Sequence, residues 1–133
     1  FAIGDRLGHY LLTGVLGRGG MGVVYEAEDE QLGRRVALKV IRREFANDLR
    51  FRSRFLQEAR AIAGLMHDHL VPLHHIGEFH GSLFLVMPRL VGSTLADYLV
   101  QKGKLPEQPA IQIGAQIASG LAAAHAVGLV HVT

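Results

Sequence analysis

Three glycines stand in the spacing G-x-G-x-x-G within Leu16-Gly17-Arg18-Gly19-Gly20-Met21-Gly22-Val23-Val24, and a lysine follows in Val36-Ala37-Leu38-Lys39. Without a β-carbon the backbone can turn tightly and bring its N–H groups close to a ligand, while the lysine ammonium can meet negative charge. Such a set can cradle phosphate. Glycine triplets also serve ordinary hairpin turns, and this chain has 16 glycines, so the flanking elements must decide between the two.

A Walker-type loop needs Gly-Lys followed by Ser or Thr, but Gly22 is followed by Val23-Val24, which excludes it. A dinucleotide fold needs the glycines between a strand and a helix. Here Val24-Tyr25-Glu26-Ala27-Glu28 alternates apolar and polar residues as a half-buried strand does. The glycines are therefore predicted to join two strands, Tyr10 to Gly17 and Val23 to Asp29, with Phe1 to Gly8 as a lead-in. The polar turn Asp29 to Gly33 leads to a third strand, Arg35 to Ile41. Ala37 and Lys39 on that strand face the same side, because strand side chains alternate with period two. Taken alone, Lys39 could equally be a solvated strand charge.

From Leu49 to Met66 the spacing turns helical, with Phe51, Phe55, Ala59, Ile62 and Met66 on one stripe and Glu58 at its edge. An inward-facing acid needs a cation, and Lys39 and Arg54 are the two candidates. The arginines at 42, 43, 50, 52 and 54 make the start of this helix basic, either a solvated face or a docking site for an acidic partner. Val71 to His80 and Ser82 to Met87 read as a hairpin across Gly81. His74 and His75 are adjacent on a strand and face opposite sides, so no metal site is expected there. Thr94 and Asp97 are spaced to cap a short helix stopped by Gly103. Pro106 opens a long helix to about Val127 that is apolar on most sides, so burial is expected. With no charged residue from Gln108 to Thr133 a membrane span has to be weighed, but Gln108, Gln112, Gln116 and Ser119 form a polar stripe against it.

At 133 residues, with 49% apolar and 20% charged residues, the chain has globular composition and the length of about one domain. A net charge of +2 gives no reason to expect nucleic acid as a partner. The absence of cysteine excludes disulfides and is compatible with a cytoplasmic protein. No signal peptide is evident at the start, and a first residue of Phe1 rather than Met is expected of a cut or processed piece.

Gly17-x-Gly19-x-x-Gly22-x-Val24 and Val36-Ala37-Leu38-Lys39, with His67-Asp68-His69-Leu70-Val71 and Gln116 to His125 further on, resemble the amino-terminal part of eukaryotic-type protein kinases, most closely the bacterial serine/threonine kinases. The resemblance implies an α+β fold: residues 1–90 as a nucleotide-binding N-lobe, an antiparallel sheet of about five strands with one αC-type helix, and residues 91–133 as the incomplete start of a helical C-lobe. It implies ATP, its phosphates against Gly17, Arg18, Gly19, Gly20, Met21 and Gly22. Lys39 would be oriented by an ion pair with Glu58. The base would lie against Leu16, Val24 and Ala37, with Met87 behind it, the Pro88 carbonyl and Leu90 backbone at its edge, and Thr94 near the ribose.

The resemblance also runs short. After His131 the family continues Arg-Asp where this chain has Val132-Thr133, so Thr133 stands at the position of the catalytic aspartate. The Mg2+ ligands would lie beyond the chain, and a kinase of full length would be needed for phosphoryl transfer. The alternative is a non-catalytic nucleotide-binding or interaction module. The expected partners are a protein substrate and the remainder of a C-lobe, or another protein, covering the helix at 107–127. The expected location is cytoplasmic, either free or as the cytoplasmic domain of a larger membrane-anchored protein.

Overall fold

The computed structural model describes residues 1–129. The elements in order are β1 (Arg6–Leu7), β2 (Tyr10–Arg18), β3 (Gly22–Asp29), β4 (Arg34–Ile41), α1 (Arg43–Ala46), α2 (Leu49–Ala63), β5 (His75–Phe79), β6 (Ser82–Pro88), α3 (Leu95–Lys102) and α4 (Glu107–Ala126). All strands join one antiparallel sheet in the order β1-β2-β3-β4-β6-β5. The expected α+β arrangement of sheet, αC-type helix and first C-lobe helices is present.

The sheet has six strands rather than about five. The additional β1 lies in the segment read as a lead-in, where Gly8 at φ 61° turns the chain so that Leu7 pairs with Tyr10. Two residues are too few to show an alternating pattern. At the other end β5 begins at His75 and not at Val71, and the β5–β6 turn places His80 and Gly81 at φ 50° and 82°. Left-handed backbone at both central residues suits the twist of a tight hairpin.

One face of the sheet is closed by its own side chains. Tyr25, Leu38 and Val86 share one cross-strand row, and Val23, Val40 and Phe84 the next, joined by Leu7, Tyr10 and Leu12 in a single apolar cluster. Glycine makes room for it at one point. A β-carbon on Gly77 would lie 2.1 Å from the Phe84 ring, so the ring occupies the space above Gly77. Phe84 also meets Tyr10 edge-on at 5.9 Å, a favourable arrangement of ring quadrupoles.

On α2 the capping residue is Asp48, whose carboxylate accepts from the backbone N–H of Arg50 at 2.9 Å and of Phe51 at 3.2 Å. Phe51, Phe55 and Leu56 pack on Ile41, Ala46 and Leu83. The helix ends at Ala63, with the Gly64 N–H still bonded to the Arg60 carbonyl, so Met66 falls outside the expected stripe and is 94% exposed. Thr94 caps α3 by accepting from the Asp97 N–H at 3.1 Å, and Gly103 ends it at φ 83°.

Helix α4 meets the loop after α2 at Gly120 and shares a cleft with α3 at Pro109 and Ile113. Gly120 is so close to the loop after α2 that a β-carbon would lie 2.8 Å from the His69 carbonyl. Beside it His67 accepts the His69 N–H on Nδ1 at 3.0 Å, which leaves Nε2 as the protonated nitrogen that donates to Ser119 Oγ at 3.2 Å. Elsewhere α4 departs from the expected burial: Ile111 is 60% and Ile117 49% exposed. Among the described residues no helix is long and apolar enough to cross a membrane.

Replacing Gly77 with alanine forces the Phe84 ring out of the core cluster, and the expected loss is about 1–3 kcal/mol in urea unfolding of the intact protein. A midpoint equal to that of the parent would show that the ring is not held over Gly77.

Candidate nucleotide site

The second face of the sheet carries the chemistry. Gly17 pairs with Val24, Val24 with Lys39, Lys39 with Leu85 and Leu85 with Ile76, one row across five strands. The neighbouring row on the same face is Glu26, Ala37 and Met87. Antiparallel pairing thus sets Val24, Ala37, Lys39, Leu85 and Met87 side by side although they come from three separate stretches of sequence. Lys39 is half-buried at the centre of this surface.

The glycines of the β2–β3 turn divide into two kinds. A β-carbon on Gly22 would lie 1.9 Å from the Val40 carbonyl oxygen, so Gly22 is required by the close approach of β3 to β4. Gly17, Gly19 and Gly20 have no atom within 4 Å of where a β-carbon would stand. Packing within the chain thus gives no reason for these three glycines, which fit a loop that leaves its backbone open to a ligand.

The loop is nevertheless held. The Gly19 N–H bonds the Gly22 carbonyl at 2.9 Å, and the backbone N–H of Arg42, the residue after β4, bonds the Met21 carbonyl at 2.8 Å. The Arg42 guanidinium donates to the Gly19 carbonyl at 3.3 Å. From sequence Arg42 read only as part of a basic face.

Glu58 stands away from Lys39. Among the described residues the pair is not within ion-pair distance, and neither is Glu58 with Arg54; Glu58 is exposed. The reason is the seating of α2. Phe51, Phe55 and Leu56 are packed down, Arg52 is salt-bridged to Glu78 of β5 and Ala59 is the buried residue of the helix, while Glu58 beside it is exposed. A cavity of about 210 Å³ separates Phe55, Glu58 and Ile62 on the helix from Leu85 and Met87 on β6. The expected Lys39–Glu58 ion pair is therefore absent from this arrangement of the chain.

At the end of β6, Met87 lies opposite Ala37 and Pro88 is the last strand residue, opposite Val36; Leu90 follows and is 59% exposed. Leu16 is exposed beside the glycine turn. The Thr94 hydroxyl is engaged in capping α3. Arg89 donates through Nε to Glu26 Oε2 at 3.1 Å, while Thr13 Oγ1 donates to Glu26 Oε1 at 3.3 Å. The hydrogen bond from Arg89 holds the Glu26 carboxyl below its ordinary value of 4.5, with help from Thr13 and against the effect of desolvation. Among the described residues no group of three or more His, Asp or Glu side chains is placed to hold a metal ion. The expectations on His131 and Thr133 lie outside the described residues.

Three comparisons with known proteins bear on this geometry. The sequence profile of the protein kinase domain matches residues 10–132. The serine/threonine-protein kinase PknD of Mycobacterium tuberculosis is 43% identical over 129 residues, which cover 97% of this chain and 19% of that protein. The serine/threonine-protein kinase PknE of Mycobacterium bovis is 44% identical over 128 residues, covering 96% of this chain and 23% of that protein. Among solved structures, the crystal structure of the Mycobacterium tuberculosis PknI kinase domain matches with a TM-score of 0.85 at 32% identity, covering 98% of this chain and 54% of that one. The chain spans about half the solved domain and less than a quarter of the curated relatives.

A carboxyl whose folded pKa is depressed stabilises the fold above its unfolded pKa, and that stabilisation disappears as pH falls through the folded value. The parent is therefore expected to be more stable than Glu26→Gln at neutral pH, the difference shrinking as the pH is taken below 4.5. Thermal melts of both proteins across that range read it, and a difference independent of pH contradicts the assignment.

Proposed function

This chain belongs to the protein kinase domain family, and on that premise we propose that it is the ATP-binding part of a serine/threonine protein kinase, whose parent transfers the γ-phosphate of ATP to serine or threonine of a protein substrate. The observation that carries the reading is the single face on which the open glycine turn, Val24, Ala37, Lys39 and Met87 are set together by strand register.

On this reading the backbone of Gly17 to Gly22 lies over the phosphates and the Lys39 ammonium meets the α- and β-phosphates. Leu16, Val24 and Ala37 cover one side of the base and Met87 closes its back. The Pro88 carbonyl and the Leu90 backbone supply its edge contacts, which a proline at 88 permits because it lacks only the N–H. The Thr94 hydroxyl, already a helix cap, contributes little to the ribose. Lys39 acquires Glu58 as its partner when α2 moves toward Leu85 and closes the cavity between them. Mg2+ belongs to the reaction of the family; its ligands are assigned beyond this chain, as is the carboxylate that takes the proton of the substrate hydroxyl. The 133-residue chain alone is therefore inactive.

The exposed side of α4, with Ile111, Ile117 and Leu121, supports a longer parent, because apolar surface of that extent is covered when the remaining helices of a C-lobe pack on it. The place proposed for the parent is the cytoplasm, free or as the cytoplasmic domain of a larger membrane-anchored protein.

The test is phosphate incorporation from labelled ATP into a protein substrate by the intact protein. Incorporation is expected to fall by about a hundredfold or more in Lys39→Met, since a charge aimed at the transferring phosphates is lost. It is expected to be absent for residues 1–133 alone. Equal activity of Lys39→Met and parent, or activity of the 133-residue chain, contradicts the proposal.

A further inference from the structure

Glu26 is the one carboxylate in the two rows that form the candidate nucleotide face, with Ala37 directly across from it on β4 and Gly14 on β2. A carboxylate partly shielded from water needs compensation: Oε2 has it from Arg89, and Oε1 shares the Thr13 hydroxyl with the Glu26 carbonyl. Thr13 is on β2 and Glu26 on β3, so the acid is anchored within the hairpin that carries the glycine turn. Arg89 belongs to the other side of the face, two residues beyond Met87 in the connection that leaves β6. The side chains of Arg89 and Glu26 are only 32% and 23% exposed, so the bond is partly shielded from water. Arg89 Nη1 also donates to the Leu90 carbonyl. One guanidinium therefore holds the glycine-turn hairpin through Glu26 and the connection after β6 through Leu90.

We propose that Arg89 is a positioning residue for the nucleotide base: bonded to Glu26 and to the Leu90 carbonyl, it sets the separation between the β2–β3 hairpin and the connection after β6, and with it the width of the slot that the base enters. The inference rests on the reading of this face as a nucleotide site. It assigns Arg89 no contact with the phosphates, which are met on the other side of Val24 by the glycine turn and Lys39. Losing the guanidinium therefore weakens recognition of the base and leaves recognition of the phosphates as it was. A planar fork that serves two acceptors at once is not reproduced by a lysine.

The experiment measures binding of ATP, adenosine and inorganic tripolyphosphate by titration calorimetry to the intact protein and to Arg89→Ala, Arg89→Lys, Glu26→Gln and the double variant Glu26→Gln/Arg89→Ala. The expected result is a loss of about fivefold to tenfold for ATP and adenosine in each single variant, with tripolyphosphate unchanged. The double variant is expected to be no weaker than the weaker single one, because both changes break the same bond. Wild-type affinity for ATP in Arg89→Ala, a parallel loss of ATP and tripolyphosphate, or additive losses in the double variant each overturn the proposal. Unfolding midpoints of the five proteins are read alongside, and a loss of tripolyphosphate binding that grows with the fall in midpoint marks a structural role and overturns the proposal. If the parent protein binds tripolyphosphate but neither ATP nor adenosine, the nucleotide reading beneath the proposal falls first.

Discussion

Lys39 sits in a row that runs Gly17, Val24, Lys39, Leu85, Ile76 across five antiparallel strands, and the positions of Val24, Ala37 and Met87 follow from that register. Strand side chains alternate, so a shift of one residue between β3 and β4 would turn Lys39 and Ala37 into the packed cluster and bring Leu38 to the open face. Two features oppose such a slip. Val36, Leu38 and Val40 are all buried in the cluster on the other side, and Gly22 is the residue whose missing β-carbon lets β3 meet the Val40 carbonyl. The ammonium is thus held on the open face by the burial of its neighbours.

The loops answer to the same sheet. The glycine turn is open above Gly17, Gly19 and Gly20, yet it is tied at its base by Arg42, which extends directly from β4. The connection after β6 is tied to the hairpin through Arg89 and Glu26. Helix α2 is fixed by its aromatic residues, by Arg52 on Glu78 and by the buried Ala59, while the exposed Glu58 borders a cavity. The two sides of the candidate slot are therefore anchored to strands, whereas the partner expected for Lys39 is carried by a helix that leaves a cavity between itself and β6.

Much of this was legible in the sequence. The alternation in Val24 to Glu28, the glycine spacing and the stripe of Phe51, Phe55 and Ala59 named the strands, the turn and the helix, and Thr94 with Asp97 named a cap that the structure contains. The two-residue β1 was not legible, since a pattern of period two needs more residues than it has. Glu58 showed on which side of a helix an acid lies, but the distance from helix to sheet depends on packing elsewhere, here on Phe51, Leu56 and Leu83. Arg42 to Gly19 and Arg89 to Glu26 join residues 23 and 63 apart in sequence, so neither bond can be read without the register that brings them together. The apolar composition of α4 states what it can bury but not what it meets, and Ile111 and Ile117 are exposed.

The most direct test of this account is the crystal structure of the intact protein with a non-hydrolysable ATP analogue. The phosphates are expected under the backbone of Gly17 to Gly22 with Lys39 Nζ within hydrogen-bond distance of them, and the base between Ala37 and the connection at Pro88 to Leu90. An analogue bound elsewhere on the protein, or bound with Lys39 turned away from its phosphates, would contradict it.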